Sequence, residues 1–242
     1  MFMFQLKHRM SWFFLRRKLR LITSPDQFKA YLSEAKPREF LWYQERSPAK
    51  GVEFQALVSG LNLDLKGKAV LEVGPGYGDS LDICHEQGAK AVEFIEIDPL
   101  FYTHNRLKGF TRGYELNHMT GLRRIPSQRY QFIWLKGAIS ADSFVALEGL
   151  GIRRFTLSHW LAELERLASP SCRVLICPHW SNDGKSRKLR DLQHNPFSDS
   201  MFQSGYQALD IEGVCSEPDY PMIFSKETLP PVNITASELD ER

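Results

Sequence analysis

The sequence predicts an α/β protein built on a seven-stranded, mostly parallel sheet, with helices ahead of it and an antiparallel hairpin at its carboxyl end. Three observations support this fold class. From Lys68 onward, short apolar segments alternate with amphipathic ones, as in strands joined by helical crossovers. A glycine-rich turn, Gly74 to Gly78, follows the first of these strands. The last two strand-like segments have too short a connection for a crossover helix, so we expect them to pair antiparallel.

Residues 1–66 are interpreted as a helical extension ahead of the sheet. Ser24-Pro25-Asp26 is typical of a helix start, with proline in the first turn, and this helix is expected to end at Ala35 before Pro37. Ser47-Pro48 is a helix breaker, so the apolar spacing on its two sides predicts two separate short helices, Glu39 to Glu45 and Glu53 to Leu61.

Residues 67–226 are expected to form the sheet and its helices, and residues 227–242 a loose polar tail. Gly88 and Pro99 mark the end of the first crossover helix and the start of the second. A further helix repeats apolar residues at helical spacing: Leu157, Trp160, Leu161, Leu164 and Leu167. The predicted strands are Lys68 to Val73, Ala91 to Ile97, Gly113 to Asn117, Tyr130 to Leu135, Cys172 to Cys177, Tyr206 to Val214 and Met222 to Ser225.

Composition excludes several classes of protein. The 242 residues carry a net charge of only +2, whereas a nucleic-acid-binding protein usually has a basic excess or stripe, so nucleic acid is not expected as a partner. No apolar run reaches the roughly 18 residues of a membrane-spanning helix. The histidines are dispersed and predict no metal site. Four isolated cysteines indicate reduced thiols and a cytoplasmic protein: Cys84, Cys172, Cys177 and Cys215.

The glycine turn Glu72-Val73-Gly74-Pro75-Gly76-Tyr77-Gly78 predicts a site for a nucleoside-type cofactor. Glycine lets the backbone turn tightly and approach a ligand without an intervening Cβ. A loop that leaves a strand and enters a helix also points free N–H groups at the ligand. The turn lies beyond the carboxyl end of the first strand, where open α/β sheets bind ligands.

Acidic residues near this turn sharpen the prediction. Glu72, at the end of the first strand, could pair with the amino group of a methionine moiety. Glu96 ends the second strand, where a carboxylate can accept hydrogen bonds from both hydroxyls of a ribose. Asp98 is the nearby alternative for the ribose.

At these residues the chain resembles the class I S-adenosylmethionine-dependent methyltransferases, which have a Rossmann-like fold. The segment Val70 to Gly78 resembles the first motif of that family, and Glu96-Ile97-Asp98 the acidic end of its second strand. Tyr130 to Gly137 resembles the fourth-strand motif, which borders the transferred methyl group. The resemblance implies S-adenosyl-L-methionine as cofactor, with these contacts: Glu72, Gly74, Pro75, Gly76, Gly78, Glu96, Asp98 and Lys136.

The chain departs from the family pattern at two places. Gln131 stands where the family often has an acidic residue. No acidic residue lies between Asn117 and Pro126, where the family often has one near the adenine, so Asn117 or His118 would have to serve.

The resemblance predicts a methyltransferase acting on a small-molecule or lipid-like acceptor. Methyl transfer needs a general base only for a poor nucleophile, and His179, just past the fifth strand, is the candidate. Two alternatives remain open. A nicotinamide-dependent oxidoreductase is disfavoured by the G-x-G-x-G spacing and the closing hairpin, and a non-catalytic cofactor-binding module could use the same fold.

Residues 1–22 mix aromatic and basic side chains, and the interspersed charges do not match a signal peptide. A basic helix rich in Phe and Trp can lie in a membrane interface, which would make the protein peripheral at a membrane. The alternative is a helix that packs on the domain or on a second copy, with its charges in solvent.

Overall fold

A seven-stranded sheet with the order β3-β2-β1-β4-β5-β7-β6 forms the centre of the computed structural model. The structure describes residues 12–127, 129–140, 156–179, 196–209 and 223–227. The strands are β1 (Ala69–Val73), β2 (Ala91–Glu96), β3 (Gly113–Glu115), β4 (Tyr130–Ser140), β5 (Ala168–His179), β6 (Gln207–Leu209) and β7 (Ile223–Glu227). β1 to β5 pair parallel, while β7 runs antiparallel to both β5 and β6. The predicted fold class and its closing hairpin are therefore confirmed.

Helices precede the first strand and connect the later strands of the sheet. Residues 12–19 form a first helix, here called the leader helix. Helices α1 (Pro25–Ala35) and α2 (Pro37–Gly60) come before the sheet. The remaining helices are α3 (Asp79–Glu86), α4 (Pro99–Leu107), α5 (Leu157–Leu167) and α6 (Pro196–Gln203), with two short helical turns at His118–Gly121 and Leu122–Arg124. Among the described residues, no helix is long and apolar enough to cross a membrane.

The two faces of the sheet bury separate apolar cores, as strand alternation requires. Leu71 and Val73 of β1 join the core formed with Leu157, Leu161 and Leu164 of α5. Val70, just before Leu71, belongs to the opposite core, where the apolar side of α2 packs through Phe54, Leu57 and Val58. All five residues of β1 are buried, because it is a central strand covered on both faces.

The amino-terminal segment also packs against the end of the glycine turn. Leu19 of the leader helix and Phe28 and Leu32 of α1 form a third cluster with Tyr77 and Leu100. Ser24 caps α1, as predicted, by accepting a hydrogen bond from the Gln27 N–H. The extension therefore contributes directly to the surroundings of Tyr77.

The two helices predicted on either side of Ser47-Pro48 are wrong: α2 runs unbroken from Pro37 to Gly60. Proline in a helix interior removes one backbone hydrogen bond and is expected to break the helix. Both ends of α2 are held by tertiary contacts, with Phe40 packed on the third cluster and Leu57 buried on the sheet. Packing of both ends outweighs the local preference to break at Pro48.

β4 and β5 extend beyond their predicted ends at Leu135 and Cys177. Their parallel pairing continues to Ser140 and His179, with an irregularity in register after Lys136. Gly137 adopts a left-handed φ of 67° within that irregular stretch. Polar and glycine residues there are typical of a loop, yet the ladder between the strands carries on through them.

Candidate cofactor site

The glycine turn between β1 and α3 depends on glycine for its backbone shape. Gly74, Gly76 and Gly78 have φ values of 73°, 61° and 75°, in the left-handed region that other L-residues rarely adopt. A Cβ at Gly74 would lie 2.6 Å from the Cβ of Ala138, and one at Gly78 would lie 2.0 Å from Oδ1 of Asn105. The backbone conformation therefore favours glycine at all three positions, and neighbouring atoms leave no space for a Cβ at Gly74 and Gly78.

Helix α4 holds this turn from outside. The side-chain amide of Asn105 donates to the Gly76 carbonyl oxygen at 2.8 Å, and Asn105 is fully buried. The Lys108 ammonium, just past α4, donates to the carbonyl oxygens of Tyr77 (3.0 Å) and Gly78 (3.1 Å) and pairs with Asp82. Lys108 adds a second donor to the Gly78 carbonyl, which also accepts from the Asp82 N–H at 3.2 Å. Together these bonds tie the carbonyl groups of the turn to α4 and fix the path of the loop.

Glu96, at the end of β2, lies beside the glycine turn. Its carboxylate accepts backbone hydrogen bonds from Ile97 (2.8 Å), Asp98 (3.0 Å) and Gly76 (3.4 Å). Burial raises the pKa of this carboxyl from 4.5 to about 7, although the three backbone N–H groups act in the opposite direction. The group therefore changes charge close to neutral pH.

Two other predicted acidic residues have partners of their own. Asp98 caps α4 by accepting from the Leu100 N–H at 2.8 Å, and burial raises the pKa of its carboxyl. Glu72 is buried in β1, where both of its carboxylate oxygens lie 2.6 Å from the Ser80 hydroxyl. Ser80 belongs to the first turn of α3, so Glu72 ties the strand to the helix that follows the glycine turn.

A cavity of about 410 Å³ opens at this edge of the sheet. That volume is within the range of small-molecule sites. Five predicted cofactor contacts meet in its walls: Gly74, Gly76, Glu96, Asp98 and Lys136. Three others do not line it and lie beneath or beside it: Glu72, Pro75 and Gly78.

One wall of the cavity is apolar and aromatic. Ile97, Phe101 and His118 line it, and Phe101 also packs edge-on against Tyr77 at 4.8 Å between ring centroids. Sequence reasoning missed Ile97 and Phe101. Their positions immediately after the acidic end of β2 and in the first turn of the next helix are the signal that could have identified them.

His118 is the residue between β3 and β4 that the sequence offered for the adenine side. Its Nε2 lies 2.9 Å from the Ala138 carbonyl oxygen, and since a carbonyl only accepts, Nε2 carries the proton. Burial lowers the pKa of the ring to about 4, so it is neutral at physiological pH. Nδ1 therefore keeps a lone pair, and this buried atom has no hydrogen-bond partner among the described residues. Asn117, the other residue considered, uses its side chain to cap the next helical turn.

The end of β4 forms another part of the cavity wall, and α2 fixes it. The Lys136 ammonium pairs with the Glu53 carboxylate of α2, and the two side chains are only 12% and 16% exposed. Gly137 and Ala138 continue this wall. Glu53 is 83 residues away in the chain, on a helix predicted only from its apolar spacing, so nothing in the sequence pointed to this pair.

The candidate general base lies at the same edge of the sheet. His179 ends β5, and its backbone is in register with Ser140 of β4. The side chains of His179 and Ser140 lie outside the described part of the structure.

The described residues contain no group of His, Cys, Asp and Glu that could hold a metal ion. Cys84, Cys172 and Cys177 are buried and not joined in disulfides, and Cys215 lies outside the described ranges.

Comparison with known proteins identifies the fold. No protein-family model matches the chain. No curated protein matches it either. Magnesium protoporphyrin IX methyltransferase from Synechocystis PCC 6803, solved with bound SAH, is 12% identical at a TM-score of 0.53, over 83% of this chain and 97% of its own.

Phosphoethanolamine N-methyltransferase 1 from Haemonchus contortus, in complex with phosphoethanolamine and S-adenosylhomocysteine, is 10% identical at a TM-score of 0.56. That match covers 91% of this chain and 50% of the Haemonchus contortus protein. Identities this low establish the architecture alone. With its reversed β7 beside β5 and its glycine turn after β1, the chain has the fold of the class I S-adenosylmethionine-dependent methyltransferases.

Proposed function

We propose that this chain is an S-adenosylmethionine-dependent methyltransferase that binds its cofactor in the cavity beyond β1 and β2. The observation that carries the proposal is the contact between the Gly76 N–H and the buried Glu96 carboxylate. It brings a carboxylate directly beside a turn with three glycines in left-handed backbone, which supports a ribose site at this place.

The cavity walls fit the parts of this cofactor. Glu96 would accept from the ribose hydroxyls, with Asp98 next to it. Ile97 and Phe101 would pack against the faces of the adenine. Lys136 would face the carboxylate of the methionine part, since it lines the cavity at the end of β4, which β1 separates from β2 and Glu96. Cofactor contacts by Glu72, Pro75 and Gly78 remain predictions, because these residues shape the turn rather than line the cavity.

When bound, S-adenosylmethionine supplies a methyl group that is already activated on a positively charged sulfur. The work left to the protein is to align the acceptor and exclude water. The hydrogen bonds from Asn105 and Lys108 keep the glycine turn in one conformation, and the Lys136–Glu53 ion pair fixes the cavity wall at the end of β4. His179 is the proposed base for an acceptor that must lose a proton, because it ends the strand next to β4.

We further propose a small-molecule or lipid-like acceptor. The decisive experiment incubates the chain with methyl-labelled cofactor and fractions of cell metabolites and lipids, and identifies any labelled product. Label is expected in a small-molecule or lipid fraction with the native chain, but not with the Gly76→Val variant. If the chain binds the cofactor and yet labels nothing in any fraction, it is a non-catalytic binding module and the proposed activity is wrong.

A further inference from the structure

The leader helix presents two different faces. Leu19 is buried against Tyr77 and Leu100, and Leu15 and Ile22 pack partly on the same cluster. The other face carries apolar residues in solvent, with Phe13 and Phe14 exposed by 62% and 55%. Two alternatives were predicted for this segment, a membrane interface and packing on the domain or on a second copy. Packing on the domain explains the buried face only and leaves the exposed apolar face unexplained.

Basic residues continue the outer face. Arg17 and Lys18 are exposed one helical turn after Phe13 and Phe14, and Arg20 and Leu21 are exposed in the turn that follows. Leu21 has 80% of its surface in solvent. We call this set the outer leader face: Phe13, Phe14, Arg17, Lys18, Arg20 and Leu21. The spacing places Phe13, Phe14, Arg17 and Lys18 on one side of the leader helix, since residues three and four apart are neighbours, and Arg20 and Leu21 follow in the turn at its end.

The charge of the protein is concentrated at this end. The first 25 residues contain six Lys and Arg and no Asp or Glu. The whole chain has 31 basic and 29 acidic residues, so the remainder carries 25 basic against 29 acidic residues. A protein with this polarity would approach an anionic surface with its amino-terminal end first.

A second cavity, of about 450 Å³, lies between the leader helix and α4. Three arginines line it, Arg16, Arg20 and Arg106, together with one carboxylate, Glu115, which pairs with Arg16. Guanidinium groups present a fork of donors that matches phosphate oxygens. Arg20 belongs both to this cavity and to the outer leader face, so this end of the chain suits a partner that is both phosphate-bearing and apolar.

We infer that the outer leader face docks the protein on an anionic lipid bilayer, with Phe13, Phe14 and Leu21 entering the interfacial layer and the basic residues near lipid phosphates. A nucleic acid would account for the arginines but not for exposed phenylalanines beside them. A lipid interface accounts for both, since such helices bind by apolar burial together with attraction to anionic headgroups. This inference goes beyond the proposed methyl transfer and does not depend on it.

The test is co-sedimentation of the full chain with vesicles of phosphatidylcholine alone, or with about a third phosphatidylserine. We expect binding to the phosphatidylserine vesicles, weakened by added salt, and little binding to phosphatidylcholine. The double variants Phe13→Ser/Phe14→Ser and Arg17→Gln/Lys18→Gln should each lower the partition coefficient about tenfold or more. Their titration with S-adenosylhomocysteine should match that of the native chain, which separates this inference from the cofactor site.

Two variants serve as matched controls. Val52→Ser removes an apolar side chain that is 71% exposed on α2. Lys66→Gln/Lys90→Gln removes two exposed charges ahead of β1 and β2. Both should bind vesicles like the native chain. The inference is overturned if the native chain binds neither vesicle, or if the controls lose as much binding as the leader variants. It is also overturned if Phe13→Ser/Phe14→Ser leaves vesicle binding unchanged and abolishes only self-association of the chain. Tight binding of the native chain to duplex RNA or DNA, without binding to vesicles, would overturn it as well.

Discussion

The side-chain amide of Asn105 in α4 donates a 2.8 Å hydrogen bond to the carbonyl oxygen of Gly76, in the middle of the glycine turn. Asn105 does not line the cavity, so it acts on a ligand only through the loop that it holds. This makes Asn105 a positioning residue whose role can be separated from direct contact.

Asn105→Ala should weaken binding of S-adenosylhomocysteine about tenfold, because the freed turn must be ordered again when ligand binds. The variant should also lose about 1–3 kcal/mol of unfolding free energy, since a buried carbonyl loses its donor. Calorimetric titration and thermal unfolding measure the two effects. Gln55→Ala, at an exposed amide on α2, is the control that should change neither. Unchanged affinity in Asn105→Ala would show that the turn keeps its shape without the hydrogen bond from Asn105.

Gly76→Val should abolish measurable cofactor binding. Valine is disfavoured at the φ of 61° that Gly76 adopts, and its side chain would enter the cavity wall. Gly67→Val is the matched control, because Gly67 has a similar φ of 70° but nothing within 4 Å of a Cβ. Both variants carry the backbone strain of about 1–2 kcal/mol, and only the first should lose ligand. Equal affinities for the two variants would place the ligand elsewhere.

Cofactor affinity should rise with pH between about pH 6 and pH 8, because the pKa of Glu96 is raised to about 7. The ionised carboxylate accepts from both ribose hydroxyls, whereas the protonated form has fewer acceptor sites. His118 does not interfere, since its pKa is lowered to about 4. Glu96→Gln should bind more weakly and lose this pH dependence. A native chain whose affinity is flat over this range would remove Glu96 from the ribose site.

The same carboxyl has the opposite effect on the stability of the ligand-free protein. Its folded-state pKa lies above the ordinary 4.5, so in the interval up to about 7 the folded chain keeps a proton that the unfolded chain has lost. The stabilisation is complete below the lower value and is lost as pH rises through the upper one. Melting temperature should therefore fall with pH in this window, and Glu96→Gln should flatten the slope. An identical slope in both proteins would contradict the assigned shift.

The Lys136–Glu53 pair should show strong coupling in a double-mutant cycle. Lys136→Met removes the ion-pair partner of a nearly buried carboxylate, with an expected cost of about 2–3 kcal/mol of unfolding free energy. Lys136→Met/Glu53→Met should recover much of that stability without recovering cofactor affinity, because the proposed contact with the cofactor carboxylate is still missing. Lys36 and Glu39 form the control pair, at 3.8 Å and about 40% exposed, whose coupling should stay below about 0.5 kcal/mol. A coupling that small for Lys136 and Glu53 would mean that the pair does not fix the cavity wall.

The sequence predicted those features that depend on local chemistry. Gly74, Gly76 and Gly78 could be assigned to a tight turn after β1, because glycine suits the left-handed backbone that all three adopt. Glu96 could be placed at the end of β2 because an apolar strand stops there. The antiparallel closing strands followed from the short connection between them.

Features that depend on contacts between distant segments could not be predicted in this way. Pro48 predicted a break in α2, and only the packing of both helix ends explains why the helix continues. Glu53 and Lys136 meet because α2 packs on α3 and on the sheet, and neither residue signals the other in the sequence. Burial of Tyr77 under the leader helix likewise depends on the folded positions of residues far apart in the chain.

Titration of the full chain with S-adenosylhomocysteine, with NADH as the comparison ligand, tests the central claim most directly. The account predicts binding of S-adenosylhomocysteine to about one site per chain, no binding of NADH, and loss of the signal in Gly76→Val but not in Gly67→Val. No heat with either S-adenosylhomocysteine or S-adenosylmethionine, or binding of NADH to the site that Gly76→Val disrupts, would contradict it.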